Sequence, residues 1–182
     1  MSIAEEKKEV NIIEYILYIW KMEQLARAID FDIDALSSFL AGSIKENTKL
    51  QEEIKWNTTF FKTMINQRLQ EKGHVAEIQE ILVELHYLHN TLINIIKDQD
   101  YILKFEEVNP LIKEFNEMTD NNESSDVQAM IKALNAFLSL KISGKTISTE
   151  TKKAITQFSE ILGVLASRYK LMKKGELNLN LN

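Results

Sequence analysis

The sequence predicts an all-α fold: a single-domain bundle of about six or seven mostly antiparallel helices with the first helix central. Five Gly and one Pro in 182 residues are too few for the many turns of a β-rich or α/β fold. The main apolar segments repeat at three-and-four spacing, the period of a helix with one buried face. Apolar residues at 45% and charged residues at 27% are ordinary for a water-soluble globular chain, and the length allows a sizeable core.

The first helix is expected from about Ile3 to Ile29. Between Ile12 and Met22 it is apolar nearly all round, as suits a helix covered by neighbours. Asp30, Asp32 and Asp34 offer N-caps for a shorter helix over about Ile33–Glu46. Asn47-Thr48 caps a third, striped by Leu50, Ile54, Phe61, Met64, Ile65 and Leu69 and ending at Gly73. The fourth, about Val75–Lys97, carries Ile78, Ile81, Leu82, Leu85, Leu88 and Leu92 on one face and Glu77, Glu80 and Glu84 on the other. Beyond an Asp-Gln-Asp interruption the helical pattern resumes at Tyr101, and Pro110 kinks or restarts it. Thr119–Asp126 reads as a polar loop, and Ser125 with Gln128 as a capping box for the next helix. Gly144 ends that helix, Ser148 caps the last, and Gly175 stops it. The domain is thus expected over 1–175, with 176–182 as a flexible tail.

Composition narrows the function classes. A formal charge of −5 and only three scattered Arg (Arg27, Arg68, Arg168) argue against a nucleic-acid partner, because phosphate recognition needs clustered cations. No Cys means no disulfide, thiolate catalysis or zinc finger. The first twenty residues mix acids with lysines and lack a clean apolar core, unlike a signal peptide. No stretch approaches the ~18 uninterrupted apolar residues of a membrane span. A cytoplasmic location with no membrane partner is the expectation.

No motif demands a particular chemistry. His86 and His89, at i and i+3, are the only metal candidates. The Glu-x-x-His signature of bundle sites is missing, since Val83 and His86 occupy the preceding positions. No metal and no cofactor is therefore expected. Glu52 and Glu53, and the row Glu77, Glu80 and Glu84, fall on faces that the apolar stripes leave to solvent, so no catalytic residue is assigned. The five Gly are isolated and form no phosphate cradle.

The polar residues worth following lie on the first helix. Glu14 interrupts its most apolar run and is expected to be buried, with Tyr18 one turn on as a hydrogen-bond donor. Trp20, Glu23 and Arg27 share a face that turns from apolar to charged. Arg27 is expected to tie this helix to an acid on another helix or to mark the edge of a cleft. Trp56, off the main stripe of the third helix, suits an interface rim or a secondary core. The alternating Leu177–Asn182 reads as a tail.

The stretch NIIEYILYIWKMEQLARA (Asn11–Ala28) followed by FDID resembles the opening of a family of uncharacterised short helical proteins from Bacteroides-type bacteria. FSEILGVLASRYK (Phe158–Lys170) resembles that family's last helix. The resemblance implies a compact helical bundle with no assigned activity, and it brings no catalytic residue. The leading expectation is a non-enzymatic module acting through protein–protein contact or self-association. The alternative is a small-molecule or metal-binding bundle, possibly an enzyme, using polar residues among the first, third and fourth helices.

Overall fold

The structure, a computed structural model, describes residues 1–119 and 125–177. Among these residues there are eight α-helices, one π-helical turn and no strand: α1 Ile3–Val10, α2 Ile12–Ala28, α3 Ile33–Ser43, α4 Asn47–Asn66, α5 Ala76–Thr91, the π-turn Leu92–Ile96, α6 Gln99–Thr119, α7 Asp126–Ile142 and α8 Thr149–Lys174. The fold is all-α, as the periodicity and the shortage of Gly and Pro require. The chain divides into two compact units, 1–80 and 81–182, with the division falling inside α5.

In the first unit the expected opening helix is two. Asn11 is extended (φ −151°, ψ 112°), and its side-chain oxygen accepts the N–H groups of Ile13 and Glu14. An Asn that caps α2 in this way ends α1 at Val10. Ser2 closes a full capping box with Glu5 at the start of α1. α2 is the central helix of this unit, packed on α1 and α4, while α3 packs on α4. Ile12, Ile16, Ile19, Leu36, Phe61, Met64 and Ile78 are among its buried apolar side chains.

α4 stops at Asn66, a turn and more before the expected Gly73. Residues 67–75 are instead an irregular link, with Arg68 (φ 58°) and Gly73 (φ 93°) both left-handed. Gly73 is needed there: a Cβ would meet a Leu69 methyl at 3.0 Å on a backbone that strains any L side chain.

In the second unit α6, α7 and α8 pack pairwise around Leu85, Leu88, Tyr101, Ile112, Met130, Ile131, Phe158, Ile161 and Leu165. α5 passes into a π-turn, and Lys97 in the left-handed region (φ 56°) closes it. Pro110 lies inside α6 without ending it. Ser125 and Ser148 cap α7 and α8, and Gly175 (φ 72°) terminates α8. Residues 120–124 of the expected loop and 178–182 of the expected tail lie outside the described residues. Among the described residues no helix is long and apolar enough to cross a membrane.

Candidate functional site

The polar residues singled out on α2 all lie in the first unit, and the structure sorts them. Glu14 is not buried: its side chain is 55% exposed and pairs with Lys7 at 2.9 Å. The break at Asn11 is the reason. It makes Glu14 a first-turn residue of α2, where an acid complements the helix dipole and meets the last turn of α1. Tyr18 accordingly donates not to Glu14 but to Glu53 Oε2, at 3.3 Å.

The buried acid of α2 is Glu23, 0% exposed. Its Oε1 accepts the Val75 N–H at 2.8 Å, and its Oε2 lies 2.6 Å from His74 Nδ1. The His74 ring stacks on Trp20 at 4.8 Å and 23°. Arg27 donates from Nε to the Leu69 carbonyl at 3.1 Å, and from its Nη2 to the Gly73 carbonyl. Trp20, Glu23 and Arg27 thus act together, as their shared face suggests. Their target is the link 67–75, however, and Arg27 meets carbonyls where an acid was expected. A non-helical segment leaves backbone groups without helical partners, and these side chains supply some of them. Among the described residues Trp20 Nε1 is buried with no acceptor, so its contribution is the stack.

Arg27 spans two carbonyls with one planar fork, which a lysine ammonium cannot reproduce. Arg27→Lys is expected to cost roughly 1–2 kcal/mol, since one carbonyl loses a charged donor. Faster amide exchange over 67–75 with α6–α8 unchanged is the expected signature.

A second buried acid was not foreseen. Glu53, placed on a solvated face by the stripe of α4, is 0% exposed. It accepts the Ile3 N–H and the Tyr18 hydroxyl, while Asn57 donates to its main-chain carbonyl at 2.9 Å. The signal was available: Glu53, Asn57, Phe60 and Met64 are spaced four, three and four, so one face of α4 carries all of them. Burial pushes the Tyr18 hydroxyl well up, and the Glu53 charge adds to the effect.

Beside these groups the first unit holds a cleft of about 300 Å³. Its floor is Ala4, Tyr15, Phe60 and Val75, all buried, and Trp56 stacks on Phe60 at 5.1 Å and 13°. Glu77 sits at its rim, paired with Lys8 and accepting the Tyr15 hydroxyl at 2.9 Å.

The histidine pair lies in the second unit. His89 is buried, with Nδ1 2.8 Å from the Tyr101 hydroxyl, Nε2 3.9 Å from an Asp126 oxygen, and its ring edge-on to Phe105. His86 is engaged by Asn90. Among the described residues no group of three or more His, Cys, Asp or Glu is placed to hold a metal ion. Burial lowers the His89 imidazole below its ordinary value near 6.5; Asp126 opposes this and His86 adds to it. The unfolded chain therefore takes up a proton here before the folded one does. Stability is full above about pH 6.5 and falls as the pH drops below it. His89→Phe is expected to flatten the stability profile between about pH 7 and 5, measured by urea unfolding.

The chain belongs to the family described as Domain of unknown function (DUF4924), whose match covers residues 1–176. No curated protein and no solved structure matches the chain.

Proposed function

We propose that the protein is a non-enzymatic helical module of the cytoplasm of a Bacteroides-type bacterium, acting by contact with an acidic segment of another protein. The single observation behind this is the turn joining α7 to α8. Leu138 is 42% and Ile142 79% exposed, with Leu140 exposed between them. Over residues 137–153 four lysines (Lys141, Lys145, Lys152, Lys153) face one acid, Glu150, in a chain of net charge −5. Phe137, Ile147, Lys141, Lys145 and Lys152 line a cleft of about 520 Å³. An acidic amphipathic segment uses both features, its apolar side chains entering the cleft and its carboxylates meeting the lysines. A phosphate backbone would leave the apolar residues unused, and a flat membrane would leave the concavity unfilled.

Fluorescence anisotropy with a synthetic amphipathic peptide of Glu and Leu tests this. Binding is expected to weaken with salt and to be lost in the triple variant Lys141→Glu, Lys145→Glu, Lys152→Glu. Equal binding of a peptide with Lys in place of Glu would refute it. Binding to phosphatidylglycerol vesicles in preference to the peptide would assign the surface to a membrane. A dimer in light scattering that the same triple variant dissolves would make a second copy the occupant.

A further inference from the structure

The cleft of the first unit has a feature that its own folding does not require: a cation held at its mouth by a tethered side chain. Lys8 Nζ pairs with Glu77 and lies 5.5 Å from the centroid of the Tyr15 ring. A carboxylate on one side and an aromatic face on the other is the environment that an ammonium group prefers. The second Glu77 oxygen is fixed by the Tyr15 hydroxyl, and Tyr15 is itself buried, so the anionic anchor is oriented from the core.

Behind this anchor lies the apolar part of the cleft, floored by Phe60 and Val75 and walled by Trp56. About 300 Å³ is at the lower end of the range of small-molecule sites, and an apolar floor bordered by a few polar side chains, here Glu5, Thr59, Thr63, Gln67 and Glu77, is their common form. The Lys8 side chain is 50% exposed and comes from the short helix α1. Exposed ion pairs of this kind are weakly held, so Lys8 can swing into solvent at little cost. With it gone, Glu5 and Glu77 leave the rim acidic.

We infer that this cleft binds a small organic amine with a flat apolar body. The ligand's ammonium replaces that of Lys8 beside Glu77 and Tyr15, and its body lies against Phe60, Trp56 and Val75. The site lies in the first unit, so it stands or falls independently of the α7–α8 surface.

Titration of the full chain with 2-phenylethylamine, using 2-phenylethanol as the uncharged control, tests the inference by calorimetry and by the indole NMR signal of Trp56. The amine is expected to bind saturably and at least tenfold more tightly than the alcohol. Lys8→Met, at a half-exposed position, is expected to tighten the amine about tenfold by removing the tethered competitor. Adding Glu77→Gln to Lys8→Met is expected to abolish the preference for the amine, with melting temperature confirming that the variant is folded. No saturable binding by the Lys8→Met protein would overturn the inference, as would equal affinity for amine and alcohol. An amine affinity unchanged between the native chain and Lys8→Met would overturn the replacement of Lys8.

Discussion

Glu23→Ala is expected to destabilise the protein by roughly 3 kcal/mol, several times the effect of removing an exposed acid. The carboxylate is fully buried and accepts the Val75 N–H while facing His74 Nδ1. Truncation leaves that amide without its acceptor in a place where water does not replace it easily. It also frees His74 from one side, leaving the ring held by its stack on Trp20. For a chain of this size the cost corresponds to a fall in melting temperature of roughly 6–12 °C. Glu23→Gln keeps an oxygen for Val75 and is expected to recover most of the loss. Glu14→Ala supplies the contrast: its carboxylate is half-exposed and paired with a partly exposed Lys7, so a change of about 0.5 kcal/mol or less is expected. Urea unfolding of the three variants checks the order. Equal costs for Glu14→Ala and Glu23→Ala would mean that the link 67–75 is held by Arg27 and its own backbone alone.

These two acids also show what could be read from the sequence and what could not. The all-α class followed from periodicity and from the scarcity of Gly and Pro, both properties of the whole chain. Ser125, Ser148 and Gly175 were legible as caps because capping is local chemistry. The grouping of Trp20, Glu23 and Arg27 was legible too, since helical spacing alone puts them on one face. Which acid is buried was not legible. It depends on which face of α2 its neighbours cover, and the extended Asn11 ends α1 and lets it pack on α2. Asn11 is a good cap but also a tolerable helix residue, and only the packing of α1 on α2 decides between these roles. The link 67–75 was hidden for a similar reason. Ile65 and Leu69 continue the apolar stripe of α4, yet Arg68 has a positive φ and Ile65 is exposed. The partner of Glu23, His74, therefore follows a segment, 67–73, that local sequence assigned to the end of a helix.

Glu53→Ala is the second variant with a large expected effect, and its consequence reaches the cleft. Glu53 is fully buried on α4, accepts the main-chain N–H of Ile3 at the first turn of α1, and accepts the Tyr18 hydroxyl from α2. The first-turn amides of a helix have no partner within it, so this carboxylate caps α1 from outside. Removing it takes an acceptor from a partly buried hydroxyl as well as from the amide, and a loss of roughly 2–4 kcal/mol is expected. α1 has only eight residues and is too short to hold its helix alone. Its amides are therefore expected to lose exchange protection before those of α2 and α4 do. Ala4 and Glu5 of α1 line one side of the cleft. Glu53→Ala should accordingly weaken amine binding without touching Glu77, Tyr15 or Trp56, whereas Glu53→Gln, which keeps an acceptor for Ile3, should preserve most of it. Unchanged protection of α1 in Glu53→Ala would show that its packing on α2, through Ala4, suffices to hold it.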